Sequence, residues 1–154
     1  MTMDTIAFLK RPYESGSRDG GVRILVNGRD LAELVRAVEL PFARGEGEES
    51  IAGTYCGLPL GDVSPPSRHF LGEPSSDLYC YDEKVQILGC QCGEPGCWPL
   101  LCRITIGTET VTWTEFEQPH RTGRNSRAAW SYDRLEPLEF DRRQYNAAVE
   151  ELAK

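Results

Sequence analysis

The sequence predicts an α+β fold, an antiparallel β-meander of about four to six strands with two packed helices. Three observations predict it: β-branched and aromatic segments crowd between Leu78 and Phe116, turn residues separate them closely, and an amphipathic helical stripe lies near each end of the chain. At 154 residues the chain has the length of one ordinary domain, 1–154, with an irregular Gly/Pro-rich segment at about 43–76.

In chain order, Val22–Asn27 alternates Val22, Ile24 and Val26 against Arg23, Leu25 and Asn27, which predicts a strand turned by Asn27-Gly28. Asp30 is placed to cap a helix, with Glu33 three residues later able to reach back. Leu31, Leu34, Val35 and Val38 share one helical stripe, and Pro41 is expected to stop the helix. Ala43–Ser50 is rich in Gly and Glu and predicts a solvated loop. Gly57–Ser76 contains Pro59, Pro65, Pro66 and Pro74, which remove backbone donors and fix φ. Its apolar residues Leu58, Leu60, Phe70 and Leu71 predict that it wraps the core.

The meander follows. Leu78–Tyr81 and Val85–Cys92 read as strands about the Asp82-Glu83 turn. Trp98–Ile106 places Leu100, Cys102, Ile104 and Ile106 on one face, and Thr110–Phe116 follows the Gly107–Glu109 turn. Trp130–Tyr132 and Leu138–Phe140 read as short edge strands. The last helix has Asp141 as N-cap, Gln144 at its third position, Phe140 and Tyr145 spaced as a hydrophobic staple, and Tyr145, Ala148, Val149 and Leu152 as its apolar stripe.

The net charge of −7 disfavours general binding to nucleic acid or anionic membranes, since the long-range field repels phosphate. Met1–Glu14 lacks the basic start, apolar run and small-residue cleavage site of a secretory signal, and no apolar run is long enough to span a bilayer. The expected setting is cytoplasmic and reducing, so the six cysteines are expected as thiols or metal ligands.

The most distinctive segment is Cys90-Gln-Cys-Gly-Glu-Pro-Gly-Cys97, with Cys102 five residues further on. If the first two cysteines lie in a strand they share a face, and the Gly-Glu-Pro-Gly turn returns Cys97 towards them. Thiolates are common zinc ligands, but zinc wants four. Cys102, Cys80, His120 and His69 are the candidates for the remaining position. The leading expectation is plainer: small buried hydrophobes at a tight turn. A redox thiol pair is a further alternative.

Several motifs also resemble a family of small bacterial proteins with no assigned activity. They are Cys92-Gly-Glu-Pro-Gly-Cys-Trp-Pro-Leu100, Val111-Thr-Trp113, Phe116, Gln118-Pro-His-Arg121, Trp130 and Phe140-Asp-Arg-Arg-Gln-Tyr145, with a looser echo around Val22–Ala43. The resemblance covers roughly the second half of the chain. It implies a bacterial, cytoplasmic source and brings no functional residues.

Elsewhere, His120 and Arg121 lead into Arg124 and Arg127, and with Trp113 and Gln118 could form a pocket for a polar or anionic ligand. A solvated basic loop is the plainer reading. His69 and His120 are each expected at the surface. Asp133, Glu136, Glu139 and Asp141 gather near the last strand, but Asp141 already caps a helix. Gly45 and Gly47 are followed by Glu-Glu rather than the lysine of a phosphate loop. No complete catalytic constellation appears. The leading functional expectation is therefore a non-enzymatic cytoplasmic module binding a protein or a small ligand. Alternatives are a zinc-binding or thiol-redox protein centred on Cys90, Cys92 and Cys97, and an enzyme using His120 and Arg121.

Overall fold

The structure, a computed structural model, describes residues 3–11, 20–123 and 128–154. Among the described residues, two antiparallel sheets and three α-helices make up an α+β fold. The first sheet has the order β1 (Ile6–Arg11), β2 (Gly21–Val26) and β3 (Arg29–Asp30). The second is a five-stranded meander in chain order: β4 (Cys80–Tyr81), β5 (Lys84–Leu88), β6 (Leu100–Ile106), β7 (Thr110–Glu117) and β8 (Leu138–Asp141). The helices are α1 (Leu31–Gly45), a single turn α2 (Leu60–Val63) and α3 (Arg142–Glu151). None of them is long and apolar enough to cross a membrane.

The alternation in β2 buries Val22, Ile24 and Val26 as expected. Asn27 and Gly28 both adopt positive φ, 52° and 80°, the hairpin turn whose twist matches that of its strands. The partner strand β1 escapes the pattern because Ile6, Ala7, Phe8 and Leu9 are apolar at successive positions, which hides the period of two.

Asp30 caps α1 by accepting from the Ala32 amide at 2.8 Å. Pro41 does not stop the helix, which runs on to Gly45, so the expected loop starts later than Ala43. A proline inside a helix costs about 3 kcal/mol. Burial offsets it here: Ala43 is fully buried with Ala52 and Trp130, and Leu40 and Phe42 pack against the same cluster.

In the meander, the Asp82-Glu83 turn joins β4 to β5, and the turn before Thr110 joins β6 to β7. Three expected strands are corrected. Leu78 and Tyr79 belong to a 3-10 turn, Asp77–Tyr79, which leaves only Cys80–Tyr81 as strand. Strand β5 ends at Leu88 rather than Cys92, because the next residue, Gly89, exchanges both backbone hydrogen bonds (2.9 Å each) with Cys56. The chain is thereby diverted, and Cys90–Cys92 enters a turn. Trp130–Tyr132 forms no strand; the Trp130 amide donates instead to the Arg121 carbonyl.

One apolar core draws on both sheets, α1 and α3. Its centre is aromatic: Phe8 lies 4.5 Å from Phe70, Phe70 stacks at 6.4 Å on Trp113, and Trp113 donates its indole N–H to the Tyr145 hydroxyl at 3.1 Å. At the start of α3, Asp141 accepts from the Arg143 and Gln144 amides, and Phe140 meets Tyr145 with ring centroids 5.6 Å apart. Gln144 does not turn back on the cap. Its amide clamps Ile6 on the edge of β1, accepting from the N–H at 3.0 Å and donating to the carbonyl at 2.6 Å. Replacing Gln144 by Ala should lower unfolding stability by about 1–3 kcal/mol, as two backbone groups lose their partner. Urea titration of both proteins checks this; a midpoint unchanged from the parent would show that water replaces the amide at no cost.

Candidate functional site

The Sγ atoms of Cys90, Cys92 and Cys97 all lie within 4.8 Å of one another. Two of them are set by their own turn. The Cys92 amide points at the Cys90 sulfur and the Glu94 amide at the Cys92 sulfur, each at 3.5 Å, while the Gly93 amide closes the turn on the Cys90 carbonyl at 3.0 Å. Gly93 and Gly96 supply the positive φ angles, 83° and 79°, that such a reversal needs. The cysteines are not the buried hydrophobes expected of a tight turn. Cys92 and Cys97 are exposed and Cys90 is partly so.

Cys92 and Cys97 both face solvent, and the grouping of the sulfurs makes these two thiols unequal. The Glu94 amide, then the thiols of Cys90 and Cys97, hold the Cys92 thiol below its ordinary value. Hydrogen bonding to Cys90 and then Cys92 pushes the Cys97 thiol up to about 12.

Cys97 is held by distant parts of the chain. His120 follows β7 in a short 3-10 turn, Pro119–Arg121, and its Nε2 lies 2.8 Å from the Gly96 carbonyl. Its ring stacks on Trp98, with centroids 6.0 Å apart and planes 10° from parallel. His120 is held in turn by Gln118, a fully buried side chain. The Gln118 Oε1 accepts from the His120 amide at 3.1 Å, and its Nε2 donates to the Pro99 carbonyl at 3.0 Å and the Tyr55 hydroxyl at 3.1 Å.

The other sequence candidates are dispersed. Cys102 is fully buried in the core on β6, opposite Val85, and lies outside the cysteine group. Cys80 is exposed and points at the Ser76 carbonyl. His69 is a fully buried core residue rather than a surface one, its Nε2 2.6 Å from the Gln86 carbonyl. Trp113 is likewise core, so the expected pocket of Trp113, Gln118, His120 and Arg121 is not assembled. Arg121 is not a solvated loop cation either. Its Nε donates to both Glu46 oxygens at 3.1 Å, and its guanidinium lies 5.0 Å from the Trp98 ring and 5.4 Å from that of Trp130. Arg124 and Arg127 lie outside the described residues.

A buried carboxylate, Glu39 on α1, had no place among the sequence candidates. It accepts from the Tyr55 hydroxyl at 2.5 Å, the Tyr132 hydroxyl at 2.6 Å and the Gly53 amide at 2.8 Å. Gly53 is required here, since a Cβ would sit 2.3 Å from that of Arg36. The available signal was positional: Glu39 stands four residues after Val35, on the buried stripe of α1. Burial raises its carboxyl above the ordinary value of 4.5, while the two tyrosines and the Gly53 amide pull the other way.

A carboxyl raised in the folded state contributes most below its unfolded value, and that contribution is lost as pH rises through the folded value. Wild-type stability should therefore fall over that interval by up to about 1.4 kcal/mol per pH unit, and Glu39→Gln should remove that slope. Denaturant titrations of both proteins at a series of pH values check this; parallel curves would show that the carboxyl does not titrate on unfolding.

Comparison of the chain with family models, curated proteins and solved structures returned no match.

Proposed function

We propose that this protein is a metal-binding module holding one thiophilic ion, zinc in the first instance, on Cys90, Cys92 and Cys97. This narrows the broader expectation of a non-enzymatic binding protein to one class of ligand, a thiophilic metal ion. The observation that carries it is the convergence of three accessible sulfurs within 4.8 Å of one another, two of them facing backbone amides. Zinc–sulfur bonds of about 2.3 Å place tetrahedral sulfurs roughly 3.8 Å apart, so binding needs only a small contraction. The amides stabilise the charge of ligated thiolates, as outer-sphere donors do at metal sites. Zinc completes its tetrahedron with a fourth donor beyond these three sulfurs. The proposal includes a reducing, cytoplasmic setting, in which thiols stay available to a metal ion.

A thiol-redox role is the second reading, favoured by the lowered thiol of exposed Cys92. The two readings separate in one measurement. Protein purified without a metal-affinity tag should carry about one equivalent of zinc, and Cys92→Ser should reduce this to less than about a tenth. Wild-type protein free of metal but losing two titratable thiols on mild oxidation would favour the redox role instead.

Ligation also displaces thiol protons. Because the Cys97 thiol is pushed up to about 12, it is protonated near neutral pH in the metal-free protein. Apparent zinc affinity should therefore rise with pH, about tenfold per unit for each proton displaced. Chelator competition between pH 6 and 8, on the order of a hundredfold change for one proton, checks it. A flat profile would mean that Cys97 is not a ligand.

A further inference from the structure

Two of the three sulfurs face amides of their own short turn, whereas the peptide that carries the third is held by one local hydrogen bond and by a distant side chain. Cys97 follows Gly96, whose φ of 79° is a conformation that residues with a Cβ avoid and glycine adopts freely. The Gly96–Cys97 peptide is nevertheless fixed at both polar groups. Its N–H donates to the Glu94 carbonyl at 3.2 Å, and its carbonyl faces His120 Nε2 at 2.8 Å. A carbonyl can only accept, so Nε2 carries the proton. The same imidazole stacks on Trp98, the residue on the other side of Cys97. One side chain thus pins the chain immediately before and immediately after the third sulfur.

That side chain is itself immobilised. The His120 amide donates to Gln118, which is fully buried and also bonded to Pro99 and to Tyr55, and Tyr55 donates to Glu39. The result is a continuous polar relay from helix α1 to the peptide that carries Cys97.

We infer that His120, steadied by Gln118, is the positioning residue of the cysteine site: it acts through the Gly96 carbonyl and Trp98 to hold Cys97 against Cys90 and Cys92. The inference rests on the metal-binding reading above. Metal affinity then depends on a hydrogen-bond donor at position 120 rather than on an imidazole ligand. Losing such an outer-sphere support costs about 10–100-fold in metal affinity.

Two variants test this. His120→Phe keeps a ring for Trp98 but has no donor for Gly96; His120→Gln keeps an N–H donor. Zinc affinity is read by chelator competition and ligand identity by the cobalt(II) spectrum, with far-UV circular dichroism confirming the fold. The expected result is a loss of about 10–100-fold in H120F, recovery of most of it in H120Q, and the same cobalt ligand-field bands in H120Q as in the parent. Equal affinity in H120F and the parent would overturn the positioning role. H120Q as weak as H120F, with shifted ligand-field bands, would overturn it in favour of direct ligation by the imidazole. If H120F does not fold, H120Q decides alone: parental affinity and bands support the role, and loss of either overturns it. A parent protein that binds neither zinc nor cobalt defeats the metal-binding reading itself, a separate outcome from failure of the variants.

Discussion

A carboxylate taken out of water must find donors, and in this fold that requirement organises several segments of chain around Glu39. The side chain is fully buried on α1, and its partners come from Gly53, Tyr55 and Tyr132, which lie in segments without regular structure of their own. An unsatisfied buried carboxylate would cost more than any single hydrogen bond in the fold contributes. The irregular chain between α1 and the meander is therefore tied to the helix at defined points. Tyr55 extends the arrangement to Gln118, and so to the end of β7.

The two layers of the site follow from this. Near α1, the polar relay runs beside a second arrangement in which Glu46 receives both Arg121 and the Trp130 indole N–H, with Arg121 set against Trp98 and Trp130. Together they hold the Pro119–Arg121 turn against the loop that carries the cysteines. Further out, the cysteine turn is short, rich in glycine and exposed, and has little apolar surface with which to fix itself. The proposed chemistry sits on the exposed part of the loop, and the contacts that fix it come from the turn beneath.

Much of the fold was legible because it depends on local rules. The caps at Asp30 and Asp141, the stripe of α3, the turns at Asn27-Gly28 and Asp82-Glu83, and the order of the meander follow from side-chain period and turn chemistry. The misreadings share one cause. Pro41 should break a helix by the local rule, but burial of Ala43 beneath Trp130 carries the helix past it. Cys90 and Cys92 should extend β5, but Gly89 pairs with Cys56 instead. In both cases a contact far along the chain outweighs a local preference.

The same division runs through the candidate site. The sequence by itself determined that glycines between Cys92 and Cys97 permit a reversal, because that depends on neighbouring residues; it placed Cys90 and Cys92 on a strand, and the three sulfurs come together in a turn instead. It also held every member of the polar relay, yet nothing in their spacing joined Glu39, Tyr55, Gln118 and His120. Tertiary structure decided that Cys102 and Trp113 belong to the core, that His69 is buried, and that His120 reaches Gly96. The physical reason is desolvation: which polar groups must find partners is settled only when packing decides which of them lose water.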